Sequence, residues 1–290
     1  MTSTVEMPAA TKLPWTKICW FGALLAVSYA PVLAHLVRQW NHDPDMSHGF
    51  FVPLVSAFIV WQRREELAAI KPRPNWWGLV LVLYGTAQLY IATLGAELFL
   101  ARSAFVITIF GMVLMLGGTL LLRKLLFPLM LLFFMVPIPA VLYNRVTFPL
   151  QLLASSLAGD GLSWLGLPVL REGNILELPQ QRLSVVEACS GIRSLLTLAF
   201  LSLVYGHFFE KRILVRIILF LATAPIAIVA NASRVTLTGV ISEWKPELAE
   251  GFFHTAQGWV IFMVSLCMLI ALHQLLSRLL VDGEGGRRRA

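Results

Sequence analysis

Charge is what this sequence has least of. Lys, Arg, Asp and Glu together make up 13% of its 290 residues, against 58% hydrophobic residues and a mean hydropathy of +0.75. A water-soluble domain needs about a quarter of its residues charged. That class is therefore excluded, and the solvent for most of the chain is lipid. Cysteine is scarce too: Cys19, Cys189 and Cys267 stand apart, with no CxxC pair. This excludes a disulfide framework and a structural zinc site, and neither a metal nor another cofactor is expected. Internal repeats and low-complexity linkers are missing as well. The exception is the Gly/Arg-rich stretch 282–290, which suggests a basic tail without fixed structure. No small-residue cleavage site follows a short apolar core near Lys12 and Lys17, so the first apolar stretch is expected to be a retained span.

Long apolar runs are what the chain has in abundance. A hydrocarbon core of about 30 Å takes roughly 20 apolar residues per helix. The runs and their breakers suggest an all-α polytopic membrane protein with about eight transmembrane helices, near 18–37, 48–62, 77–94, 100–122, 125–143, 190–208, 213–231 and 256–277. A single transmembrane domain over 1–281 follows. The net charge of +7 would point to nucleic acid in a soluble protein, but here the cations fall between apolar segments, so no nucleic-acid partner is expected. With both termini cytoplasmic, fifteen of the 23 Lys and Arg lie inside, among them Arg63, Arg64, Lys71, Arg73, Arg123, Lys124, Lys211, Arg212 and Arg216. This satisfies the positive-inside rule and puts residues 144–189 on the outer face.

That outer segment has two periodicities. Phe148, Leu152, Leu153, Leu157, Leu162 and Leu165 recur at near-helical spacing, with Gln151, Ser155 and Asp160 opposite, which suggests a helix lying in the membrane interface. A poorly formed ninth span is the alternative. Residues 169–172 and 175–178 flank Gly173-Asn174, a two-residue turn signal, and 183–186 suggests a third strand. The outcome is a small outer β-hairpin or meander that hands the chain on to Cys189.

Three polar blocks converge on that face. Cys189 lies in Glu187-Ala188-Cys189-Ser190-Gly191-Ile192-Arg193, where polar sequence turns into a span. A helix N-terminus there favours the thiolate, and Arg193, four residues on, adds positive potential. A small packing residue in a helix interface is the competing account of the same cysteine. Arg234 lies in Asn231-Ala232-Ser233-Arg234 and cannot be neutralised. It either snorkels to water or meets a partner or a developing negative charge, with Asn231 three residues away on its face. His254 opens the last span, where a structural histidine is the alternative to a base. Nucleophile, fixed cation and titratable base at one membrane level form a workable acyl-transfer set.

At these residues the chain resembles the exosortase/archaeosortase family. Glu-Ala-Cys-Ser-Gly-Ile-Arg-Ser at 187–194, Asn-Ala-Ser-Arg-Val at 231–235 and His254 followed by Gly258 match its signature blocks, as does the stretch from Met46 to Pro53 with Trp61-Gln62-Arg63-Arg64. The resemblance implies Cys189 as nucleophile, Arg234 as essential cation and His254 as third catalytic member. It also implies a bacterial inner-membrane protein whose active site faces the periplasm. Its substrates would be exported proteins with a C-terminal tripartite sorting signal (a short motif such as Pro-Glu-Pro, a hydrophobic helix and a basic tail), cleaved near the motif and transferred to a surface acceptor. His48, Arg171, Glu187, Arg193 and Asn231 are further candidates for shaping the site or binding substrate, with helix capping the simpler account of His48. Membrane lipid is the constant partner. A transporter or channel, or a non-catalytic assembly factor for exopolysaccharide export, is the competing class. The nearly uncharged centres of the fourth to seventh spans count against transport.

Overall fold

The computed structural model describes residues 15–184, 191–245 and 252–287. Its contacts divide the chain into two compact units, Met1–Pro139 and Ala140–Ala290, where composition suggests one domain.

The first unit holds α1 (Trp15–Ser28), α2 (Ala30–His42), α3 (Phe51–Gln62), α4 (Arg64–Ala68), α5 (Trp77–Leu94) and α6 (Leu98–Leu131). Cys19–Ser28 and Ala30–His42 meet at 74°, with a proline in the first turn of α2. The main interface joins α5 to α6, where small residues bring the backbones together as in other membrane helix pairs. α6 is broken at Gly118, whose φ of 85° and ψ of −176° suit glycine alone. Into that break comes the preceding loop, with Arg73 N–H donating to the Gly117 carbonyl at 3.3 Å.

Among the described residues, the eight expected spans reduce to four helical stretches long and apolar enough to cross a membrane: Trp77–Leu94, Leu98–Met135, Ile213–Trp244 and Ala256–Leu280. The bent pair Cys19–Ser28 and Ala30–His42 makes a fifth if it counts as one span. The span expected at 190–208 begins outside the described residues, and Arg193–Phe209 is an apolar helix below spanning length. Two further losses have a cause in the fold. The segment expected at 48–62 is a 12-residue helix, α3, because Pro44–Phe50 folds into a 3-10 turn. At about 1.5 Å per residue it reaches only ~18 Å, well short of a bilayer core. The pair expected at 100–122 and 125–143 becomes the single stretch ending at Met135.

His48 sits in that 3-10 turn. It is 5% exposed, and its Nε2 lies 3.2 Å from the Phe134 carbonyl. The imidazole thus ties the turn to the end of the Leu98–Met135 stretch. It does not cap α3, whose N-cap is Phe50.

The second unit holds α7 (Ala140–Trp164), strands β1 (Leu170–Glu172), β2 (Ile175–Glu177) and β3 (Arg182–Ser184), and then α8 (Gly191–Phe209), α9 (Ile213–Trp244) and α10 (Phe252–Arg287). α7 starts before the expected interfacial helix and runs for 25 residues, but it is not apolar enough to count among the candidate spans. The strands form an antiparallel meander with Arg171 opposite Leu176 and Leu176 opposite Leu183. Gly173, at a φ of 64°, makes the turn where Gly173-Asn174 suggests one, and its carbonyl accepts from Ser155 Oγ of α7 at 2.9 Å. α10 is helical through Arg287, over the stretch from Asp282 for which the sequence suggests no fixed structure.

Two cores share α9. Leu198, Val215, Leu219, Ile226 and Leu269 join α8, the first half of α9 and α10. Ala154, Ala158, Leu162, Leu176, Leu178, Leu183 and Val235 join α7, the meander and the last third of α9. At the α8–α9 turn, Tyr205 Oη lies 2.9 Å from His273 Nδ1, His273 Nε2 lies 3.2 Å from Glu210 Oε2, and Arg216 Nε donates to the Glu210 carbonyl at 2.7 Å. This network ties α8, α9 and α10 together at one end.

Candidate functional site

Between its two cores α9 carries Asn231 and Arg234. The helix passes through this polar block instead of ending before it, which corrects the span expected to stop at residue 231. Hydroxyl groups explain the continuity: Ser233 Oγ donates to the Val229 carbonyl at 2.8 Å, and Thr236 Oγ1 to the Ala232 carbonyl at 3.0 Å. Satisfied by their own helix, these side chains do not compete with it.

Arg234 is half-buried at the contact with α10. Its guanidinium lies flat against Gly258, where an added Cβ would fall 3.2 Å from Cζ and Nη2 and 3.3 Å from Nη1. That is tighter than ordinary carbon contact. The glycine is what admits the cation to this depth. The neighbouring Gln257 uses both ends of its amide: Nε2 donates to the Arg234 carbonyl at 3.0 Å, and Oε1 accepts from Thr238 Oγ1 at 3.1 Å. The two bonds fix the register of α10 against α9. His254 lies in the first turn of α10, one turn before Gly258.

The depth of Arg234 follows from helix geometry. Arg216 and Arg234 stand on the same helix, eighteen residues apart. At about 1.5 Å per residue that is ~27 Å, close to the thickness of a bilayer core. Beyond Arg234 the helix continues to Trp244 and carries the meander, with Gln180 N–H bonded to Glu243 Oε1 at 3.2 Å.

The remaining candidates are distributed as follows. Cys189 and Glu187 lie outside the described residues, and of His254 only the helical backbone is described. In sequence, Cys189 precedes by two the first residue of α8. Asn231 lines a cleft between α7, α8 and α9. Arg171, on β1, and Arg193, in the first turn of α8, are exposed. His48 belongs to the first unit, in the turn already described. Among the described residues no group of three or more His, Cys, Asp or Glu is gathered as for a metal ion. Sequence reasoning assigns no role to Gln257, because its contacts with residues 19 and 23 positions away depend on helix register.

The chain was also compared with known proteins. The family model for transmembrane exosortases matches residues 40–271, about four-fifths of the chain. No curated protein and no solved structure matches it.

Proposed function

Because the chain belongs to the transmembrane exosortase family, we propose that this multi-pass membrane protein is a cysteine endopeptidase and transpeptidase acting on exported proteins. The proposed substrate carries a C-terminal short motif, an apolar helix and a basic tail. The observation that carries the reading is the Arg234 guanidinium seated on Gly258, one helical turn from His254 on the same neighbouring helix.

In this reading the Cys189 thiolate attacks the scissile carbonyl, and the electron pair moves onto the carbonyl oxygen. Arg234 stabilises that oxyanion with its planar N–H fork. His254 delivers a proton to the leaving amine, and the carbonyl re-forms as a thioester to Cys189. A surface acceptor then resolves the thioester. Arg234 stands about one bilayer thickness from Arg216, so the chemistry occurs where the substrate's apolar helix leaves lipid. In this reading the basic Lys211, Arg212 and Arg216 face the cytoplasm, as the positive-inside rule favours, and the meander and the site face the periplasm. Substrate helices enter sideways from the bilayer.

Cys189→Ala and Cys189→Ser test the reading. Both substitutions fit the same space, so expression and melting in detergent are expected to stay as in the parent protein. Cleavage of a tripartite-tailed substrate is expected to vanish in both, since an unactivated hydroxyl does not replace a thiolate. Full cleavage by Cys189→Ala would eliminate the thiol mechanism. Labelling of Cys189 by an impermeant thiol reagent only after permeabilisation would reverse the orientation.

A further inference from the structure

Cations from three segments gather at one end of the first unit. Arg63 and Arg64 lie at the junction of α3 and α4, Lys71 and Arg73 in the loop before α5, and Arg123 and Lys124 in α6. Three contacts bring these segments together. Arg73 lies on the break in α6: its N–H donates to the Gly117 carbonyl at 3.3 Å, and its own carbonyl takes the place a Cβ on Gly118 would need. Lys124 reaches from α6 to Glu66 of α4 at 2.5 Å. The first turn of α5 packs just ahead of the break, with Gly78 against the Met115 backbone. The break is also a bend. The rings of Phe110 and Phe133 lie 6.2 Å apart, whereas a straight helix would hold residues 110 and 133 about 35 Å apart. α6 thus turns back on itself around Gly118, and Arg123, little more than one turn past the glycine, stays at that end.

The charge there is only partly balanced. Glu66 is taken by Lys124, and Glu65 stands 3.8 Å from Arg64, which also lies over the Trp61 ring at 4.6 Å. Lys71, Arg73 and Arg123 are exposed, and no acid among the described residues pairs with them. The aromatic side chains mark the level at which this charge stands. Trp76 and Trp77, at the start of α5, are 82% and 71% exposed, and Trp61, near the end of α3, is 59% exposed. Exposed tryptophans at the ends of apolar helices sit among lipid headgroups. Lys71 and Arg73 precede the candidate span Trp77–Leu94 by only a few residues, which keeps them at the same level. A general excess of cations on one face needs no ligand, since orientation alone favours it. This cluster differs in joining cations distant in sequence at one bend, beside an aromatic belt.

We propose that this bend binds the headgroup of an anionic phospholipid, with Lys71, Arg73 and Arg123 around the phosphate and Trp76 and Trp77 against the lipid below it. Guanidinium forks give a phosphate paired, charge-assisted hydrogen bonds, and the lysine adds a point charge. Basic pockets beside membrane helices hold anionic headgroups in this way. With three cations unbalanced, a headgroup bearing two phosphates is held more tightly than one bearing a single phosphate. The site lies wholly within the first unit and is independent of the cysteine chemistry.

The test exposes the full-length protein in detergent to mixed micelles of cardiolipin, phosphatidylglycerol or phosphatidylcholine, and native mass spectrometry counts the lipid retained. Glycerophosphate serves as the same headgroup chemistry without acyl chains. The parent protein is expected to retain cardiolipin best, phosphatidylglycerol less and phosphatidylcholine least, with glycerophosphate not retained. Arg73→Gln and Arg123→Gln are each expected to weaken cardiolipin binding about fivefold, the share of one basic residue near an anionic surface. Lys71→Gln, which lies away from the break, should show the same loss without touching the turn. Arg278→Gln removes an equal charge from α10 in the other unit and should leave binding within twofold of the parent. Equal retention of phosphatidylcholine would overturn the proposal. So would an equal loss in Arg278→Gln, since net charge and not the bend would then govern binding. Glycerophosphate held as tightly as lipid would make the bend a site for free phosphate and overturn the lipid assignment.

Discussion

The seat of Arg234 on Gly258 makes an unusual demand: one added methyl should harm the chemistry without harming the fold. In Gly258→Ala the new Cβ would stand 3.2 Å from Cζ and Nη2 of Arg234 and 3.3 Å from Nη1. Comfortable separations are about 3.5–4.0 Å. The guanidinium, at the end of a flexible side chain, therefore moves by roughly 0.3–0.7 Å while both backbones stay. The helix itself gains, because alanine is better than glycine in a helix interior by about 1 kcal/mol. The melting temperature in detergent is thus expected to hold or rise. A misplacement of ~1 Å costs about 100-fold in a positioned reaction, so half that shift should lower substrate cleavage by about tenfold. The assay pairs a melting curve with the cleavage rate of a tripartite-tailed substrate. Cleavage within twofold of the parent would refute the reasoning, because the guanidinium position would not matter. Loss of stability together with activity would also refute it, since the glycine would then be serving the fold.

Three further outcomes follow from the packing. Gln257→Leu removes the bonds to Arg234 and Thr238 and should lower stability by about 1–2 kcal/mol, read as a lower melting temperature, at about 1 kcal/mol for each bond. Gly118→Ala forces a φ of 85° on alanine and puts a methyl against the Arg73 carbonyl, so it should cost at least about 1–3 kcal/mol, and unchanged melting would contradict the break in α6. The Glu210 carboxyl is held below its ordinary value of 4.5, first by the backbone N–H of Arg212 and then by His273, against the opposing effect of burial. A carboxyl depressed on folding stabilises above its unfolded pKa and loses that contribution as pH falls through its folded value. Melting should therefore weaken below about pH 4.5, and Glu210→Gln should flatten that dependence.

Some of this fold was plain in the chain, and the reasons differ by element. The α5 span is expected at 77–94 and found at Trp77–Leu94, since an uninterrupted apolar run between loops has few alternatives. The meander was equally legible: Gly173-Asn174 demands a turn, and alternation about Leu176 buries one face. The polarity of the block at 231–234 suggests a helix end, whereas Ser233 and Thr236 bond back to their own helix and let it run on. Arg123 and Lys124 misled in the same way. They suggested a boundary between two spans, but the break lies at Gly118, and Lys124 reaches Glu66 at 2.5 Å. The residues of the candidate site could be named from their chemistry. The clamp by Gln257 and the cleft lined by Tyr143, Thr147 and Gln151 could not, because both depend on helix register.

The distribution of charge along α9 bears on the choice between transport and surface chemistry. Ion-coupled transporters keep ionisable groups near the bilayer midplane, where substrate and coupling ion bind. Between Arg216 and Arg234 this helix has no Asp, Glu, Lys, Arg or His, over a length of about 27 Å. Among its neutral polar residues, Asn231 lines a cleft of about 30 Å³. The permanent charge stands at the far edge of the apolar stretch, its guanidinium against Gly258 and its backbone carbonyl bonded by Gln257, where the helix emerges into the part that carries the sheet. Under the function proposed above, a cation so placed would meet a substrate whose apolar segment stays in lipid while its polar segment lies in water. That arrangement suits the bond cleavage proposed above, next to a membrane anchor.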